Sequence, residues 1–197
     1  MILLHICCGP CSLYFVKYFR EKNLPFVGYF YNPNIHPYKE FRQRIRALEE
    51  VQKIKNFEII WDKEYGLRKF VKETFMLWDK PGKRCERCYI MRLKATVKKA
   101  LEIKAEAFTS TLLYSVHQDH ELIKAIAEDL SYKYKVPLYY DDFRKGYKEG
   151  QKEAIALGIY RQGYCGCIFS EEERYYKKRK KELLRQLKAN DTFLFHQ

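Results

Sequence analysis

A chain of 197 residues with 47% hydrophobic side chains can bury one sizeable core, and no stretch reaches the ~18 apolar residues of a membrane span. Lysine and arginine number 38 against 25 acids, and the net charge of +13 points to a polyanionic partner, nucleic acid first. Met1 to Leu4 runs into His5 without a basic leader or a small-residue cleavage site, so a cytoplasmic protein with no membrane partner is expected.

The apolar run Ile2 to Ile6 reads as a buried strand, and Leu13, Phe15, Val16 and Phe19 recur at helical spacing between Ser12 and Glu21. Cys7, Cys8 and Cys11 then occupy a strand-to-helix turn. Pro25 to Tyr31 reads as a second strand, closed by the turn-forming Asn32, Pro33 and Asn34. Phe41, Ile45, Leu48, Val51 and Ile54 line one face of a long helix, and Phe57 to Trp61 reads as a third strand. Residues 63–83 carry weak helical periodicity in Leu67, Phe70, Val71 and Phe75 before a break at Pro81 and Gly82, which suggests a cap or lid. Met91, Leu93, Val97 and Leu101 predict a helix starting near Cys85, with Cys85 and Cys88 in its first turn. Strands follow at Ala107 to Leu113 and Val136 to Tyr140, and helices at His120 to Leu130 and about Lys152 to Leu157. Ser170 to Glu173 reads as a capping box that opens a basic C-terminal helix over 170–190. This alternation predicts a single α/β domain over 1–197, a mainly parallel sheet between two helical layers, with ligands at the strand carboxyl ends.

The seven cysteines fall in three groups: Cys7, Cys8 and Cys11 in HICCGPC, Cys85 and Cys88 in KRCERCY, Cys165 and Cys167 in GYCGCIF. A reducing cytosol gives ordinary thiols no disulfide role, and grouped cysteines beside Gly, Pro and charge favour metal binding over scattered core thiols. A structural zinc site closes with four ligands and leaves three thiols unexplained. An iron-sulfur cluster with a second metal or redox thiols fits the count better. Polar residues that such a site can recruit follow the expected strand ends: Asn32, Asn34 and His36; Ser115, His117, Gln118, Asp119 and His120; Asp141 and Asp142; then Tyr160, Arg161 and Gln162. Each also has an ordinary role, Asn32 in a turn, Asp119 as a helix cap, Asp141 and Asp142 in a loop. Lys177, Lys178, Arg179, Lys180 and Lys181 form either a solvated face or, given the global charge, a phosphate-contacting one.

HICCGPCS, YNPNIHP, CERCY, TSTLLYSVHQDH and YRQGYCGC, in that order between about Leu3 and Ser170, resemble the QueH family of cobalamin-independent epoxyqueuosine reductases. The resemblance implies an α/β/α sandwich of the adenine-nucleotide-hydrolase-like (HUP) kind, with cysteines where ATP-using relatives carry a pyrophosphate loop. It implies two-electron deoxygenation of epoxyqueuosine in tRNA, a 4Fe-4S cluster with an adjacent mononuclear iron on the seven cysteines, and an external electron donor. Asp142, His120, Asp119 and Tyr160 are the expected proton-handling residues, with Asn32, Asn34, His36, Ser115, Gln118, Arg161 and Gln162 as substrate contacts. A tRNA sulfur-transfer enzyme with an iron-sulfur cluster and a zinc-stapled RNA-binding module remain alternatives; the oligomeric state is open.

Overall fold

Four short strands, β1 (Ile2–His5), β2 (Phe26–Phe30), β3 (Ile59–Trp61) and β4 (Ala107–Ser110), form an all-parallel sheet in the order β3-β2-β1-β4. The computed structural model describes residues 1–176, 180–182 and 184. Ile2 pairs with Phe26 on one side and Ala107 on the other, so β1 is the central strand, and all four of its residues are buried. A central parallel strand covered on both faces needs apolar side chains pointing both ways, which explains the unbroken run of β1.

Helix α1 (Gly9–Glu21) joins β1 to β2, and α2 (Tyr38–Lys55) joins β2 to β3. Right-handed crossovers place both on one face; α4 (Pro81–Glu102) returns over the opposite face to β4, followed there by α5 (His120–Tyr134). The packing agrees: α1 lies against α2 and against α6 (Tyr147–Ala156), while α4 lies against α5, β1 and β4. Phe15 and Phe143, with ring centroids 4.5 Å apart, and the buried Tyr114 and Phe19 fill the space beneath α1. The expected α/β/α layering is therefore present. Among the described residues no helix is long and apolar enough to cross a membrane.

Several boundaries differ from the sequence reading. Helix α4 starts at Pro81, one turn before Cys85, because proline is well suited to the first helical position. Cys85 and Cys88 thus lie beyond its first turn. The strand expected over Ala107 to Leu113 stops at Ser110, whose hydroxyl accepts from Leu112 N and turns Thr111–Tyr114 into a 3-10 helix. Val136 to Tyr140 contributes only a bridge between Leu138 and Phe108, with Pro137 lacking an N–H for a longer ladder. The helix expected near Lys152 begins earlier, at Tyr147.

Residues 63–83 contain α3 (Leu67–Thr74) and a 3-10 turn, with Phe70 buried against His36. The expected capping box is not formed. Ser170 lies inside the short α7 (Ile168–Glu171), whose cap is Cys167 with Sγ accepting from Ser170 N, and Glu173 pairs with Arg84 at 2.6 Å. Lys177, Lys178 and Arg179 lie outside the described residues; Lys180 and Lys181 are exposed.

Candidate active site

The first cysteine group sits where β1 hands over to α1. His5 ends the strand with Nδ1 2.8 Å from Ser110 Oγ and Nε2 3.1 Å from Tyr31 O, tying together the carboxyl ends of β1, β2 and β4. Burial, reinforced by Arg92 nearby, lowers its pKa to about 4, so it is a neutral structural strut at pH 7. Cys7 N donates to Thr111 Oγ1 at 3.0 Å. Gly9 permits the sharp entry into α1, since a Cβ there would lie 2.7 Å from Ala47 O of α2. The three Sγ atoms consequently lie within 4.8 Å of one another, those of Cys8 and Cys11 only 3.0 Å apart. Within the cluster, hydrogen bonds from Cys11 and Cys8 hold the Cys7 thiol well below its ordinary range, and Cys11 is driven up by Cys7, Cys8 and burial.

The other four cysteines come from α4 and from the loop before α7. Cys88 is buried, which pushes its thiol up to about 11, and Cys85 is exposed beside it. The loop is pinned to α2 by Arg44, only 2% exposed, whose Nη1 and Nη2 donate to Cys165 O and Tyr164 O, each at 2.9 Å. Arg44 Nε in turn donates to Glu40 Oε1 at 2.7 Å, and Tyr160 donates to Glu40 Oε2 at 2.6 Å. A further clamp runs from His36 N to Gly166 O, with Gly166 at φ +122°, a region that favours glycine. A hydrogen bond from Cys167 holds Cys165 down to about 5, against burial and with help from Ser170 Oγ, 3.0 Å away. The charge of Cys165 is felt in turn by Cys85 and Cys88, and it raises both on top of their burial.

Arg92 connects the two halves. It is 3% exposed and lies close enough to Cys7, Cys88 and Cys165 to interact electrostatically with all three. A cavity of about 430 Å³ opens here, lined by Cys7, Cys11, Cys165 and Arg92, with Tyr147, Gln151 and Arg174 at its walls. Of the polar residues expected from sequence, Ser115, His117, Gln118, Arg161 and Gln162 line it, and Gln162 Nε2 lies 3.1 Å from Cys8 Sγ. The Oε1 atoms of Gln118 and Gln162 are buried and have no hydrogen-bond partner among the described residues.

The remaining expected residues are not among those lining the cavity. Asn32 donates to Ile6 O, Asn34 is buried, and His36 is bonded to Pro33 O. Asp119 caps α5, and His120 Nε2 lies 3.1 Å from Tyr140 Oη. Asp141 accepts from Tyr18 and Lys145, Asp142 pairs with Arg144 at 2.7 Å, and Tyr160 is held by Glu40. Arg92, Tyr147, Gln151 and Arg174 were not singled out. Arg92 was findable, because it lies one helical turn after Cys88 and shares its face.

A sequence profile described as Epoxyqueuosine reductase QueH matches residues 2–173, a span that includes all seven cysteines. The chain belongs to that family. A curated QueH relative from Dehalococcoides mccartyi is 37% identical over 176 residues, 89% of this chain and 95% of its own length. One from Thermotoga maritima is 35% identical over 183 residues, covering 89% and 93% respectively. A QueH protein from Helicobacter pylori is 34% identical over 183 residues, which is 86% of this chain and 49% of that longer relative. As a family member the protein is an enzyme of the oxidoreductase class. Its soft sulfur donors suit iron, iron-sulfur clusters or zinc, and the triad of Cys7, Cys8 and Cys11 can hold a metal.

Proposed function

We propose that this QueH family member reduces epoxyqueuosine in tRNA to queuosine, in the cytoplasm, using an iron-sulfur cluster and an adjacent iron. The observation that carries the reading is a cavity lined by Cys7 and Cys11 from the first cysteine group and Cys165 from the last, with Arg92 of α4 between them and the buried Gln118 and Gln162 Oε1 acceptors beside them, unpartnered among the described residues. Cys7, Cys8 and Cys11, whose sulfurs come together, would hold one metal group, and the remaining cysteines are the candidates for the other. These centres, when bound, supply single-electron transfer and a Lewis acid for oxygen. In the net reaction two electrons from an external donor and two protons enter. Both epoxide C–O bonds break, a C=C bond forms, and oxygen leaves as water.

The chain's own groups have definable parts in this scheme. Gln118 and Gln162 Oε1 would accept hydrogen bonds from substrate hydroxyls, orienting the ring at the cysteines. Arg92 opposes the negative charge that accumulates on clustered thiolates. His117 Nε2 lies 3.0 Å from Tyr147 Oη at the cavity wall, and this pair is the proposed route for protons. Asp119, His120, Asp142 and Tyr160 keep their expected proton-handling role only as the alternative, because each side chain is engaged elsewhere.

Anaerobically reconstituted protein, supplied with a chemical reductant and tRNA bearing epoxyqueuosine, should convert the epoxide to the alkene, read by mass spectrometry of the digested nucleosides. Absence of conversion by protein that contains iron and acid-labile sulfide overturns the proposal. Full activity in a preparation holding only zinc overturns the metal assignment.

A further inference from the structure

Helix α2 does two things with its opposite faces. Its inner face carries Arg44, which fixes the Cys165 loop. Its outer face presents Lys39, Arg42 and Arg46, spaced so that all three share one side of the helix and span about 10 Å along its axis. All three are exposed, and none forms an ion pair or side-chain hydrogen bond among the described residues. Some other cations are neutralised in place, as Lys55 is by Glu153 and Lys63 by Glu49. Lys39, Arg42 and Arg46 line a groove of about 700 Å³ together with Tyr38, which is 54% exposed, and Tyr160; Glu50 is its one carboxylate.

The position of this groove matters more than its charge alone, since a chain at +13 has unpaired cations in many places. Helix α2 leaves the carboxyl end of β2, so its first turns stand at the sheet edge where β1 delivers Cys7. The contact of Gly9 with Ala47 O fixes that proximity. Tyr160 lines the groove while Arg161 to Cys165 line the cysteine cavity, so a single loop separates the two. A polyanion lying along α2 therefore runs past the mouth of the candidate active site. We propose that the Lys39–Arg42–Arg46 face of α2 is a docking surface for the RNA phosphate backbone, holding tRNA while the modified base enters the cavity. The occupant is assigned by charge complementarity, and the assignment rests on the reading of tRNA as substrate.

The test compares two triple variants of the full chain that lose the same charge. Lys39→Gln with Arg42→Gln and Arg46→Gln removes the α2 face. Lys53→Gln with Lys98→Gln and Lys133→Gln removes three exposed cations from the later turns of α2, α4 and α5, at the opposite edge of the sheet. Binding of unmodified tRNA is measured across a salt series, with thermal melts to establish that each variant folds. The α2 triple should bind about tenfold or more weakly at low salt, with the slope of log affinity against log salt reduced by about two to three, because each lost phosphate contact releases about one counterion fewer. The opposite-edge triple should bind nearly as wild type. In the loaded enzyme the α2 triple should raise KM for tRNA and leave kcat in place. Equal losses in both triples, or no loss in the α2 triple, overturn the proposal. Unchanged tRNA binding with slower turnover only on a protein reductant also overturns it, making the groove a dock for an acidic electron donor. If wild-type protein fails to bind tRNA at all, the substrate reading falls first and this inference with it.

Discussion

The two cysteine-bearing regions are built by different means. Cys7, Cys8 and Cys11 stand within five residues on a turn whose geometry follows from a central strand, a glycine and the start of a buried helix. Cys165 and Cys167 stand on a loop that the chain reaches only after α6, and its position depends on Arg44, Glu40 and the Gly166 contact. The first region is held by apolar core and the second by a buried ion pair and backbone hydrogen bonds. The lesson is that one cysteine-bearing turn can be secured by packing that any α/β sheet provides, while a cysteine-bearing loop far along the chain needs dedicated polar fasteners.

Removing thiols should have the largest effect in either region. Cys11→Ala and Cys85→Ala should each reduce turnover by more than about 100-fold, since even outer-shell changes at metal sites cost about 10–100-fold. Iron content and cluster absorbance should fall with activity in both, and iron retained at wild-type levels in either variant would remove that cysteine from the ligand set.

Cutting the fastener is the sharper comparison. Arg44→Ala leaves Glu40 buried without its partner and should destabilise the fold by about 3–5 kcal/mol, lowering Tm by roughly 6–20 °C for a chain of this size. The same variant should lose metal from the loop side first, so iron per chain falls before the fold is lost on heating. A melt indistinguishable from wild type would show that the Cys165 loop is held by something else.

Backbone changes should act at the next level. Gly166→Ala forces a side chain into a positive-φ position against Arg44 and should cost about 1–3 kcal/mol. Gly163→Ala, in the same loop, meets only the Tyr175 hydroxyl, which can swing aside, and should melt close to wild type. Similar melts for both would deny Gly166 its special role.

The smallest effect is expected outside the site. A hydrogen bond from Arg144 depresses Asp142 to about 2, so its stabilising contribution is complete above the ordinary carboxylate range and is lost as pH falls toward 2. Because the pair is largely exposed, Asp142→Asn should lower stability at pH 7 by less than about 1 kcal/mol, with the difference vanishing near pH 2. Turnover should be unchanged. A slowed proton-transfer step in this variant, read by a solvent isotope effect, would place Asp142 in the reaction after all.

Much of the fold and part of the site were readable in the linear chain. Periodicity located β1 to β3, α1 and α2 because burial repeats locally, every second or every third to fourth residue, and the cysteine motifs announced themselves by spacing. Boundaries moved where one backbone detail overrode periodicity, as with Pro81 at the start of α4 and the Ser110 hydroxyl at the end of β4. Of the polar turn residues expected to converge, Ser115, His117, Gln118, Arg161 and Gln162 line the cavity. Asn32, Asn34 and His36 are not among the lining residues, because a residue after a strand end can point along the loop instead of into the cleft.

By itself, then, the amino-acid sequence determined the class of the fold, the existence of a thiol-rich site and the family, since all three are written in local pattern and motif order. Only the tertiary structure decided which charges matter. Arg44 and Arg46 lie two residues apart on one helix, yet the first is sealed beneath the Cys165 loop and the second lies in open solvent. Arg92 looks like any basic residue of α4 until packing places it among Cys7, Cys88 and Cys165. The physical reason is that a charged side chain takes its energy from its surroundings, and those surroundings come from segments far away in the chain.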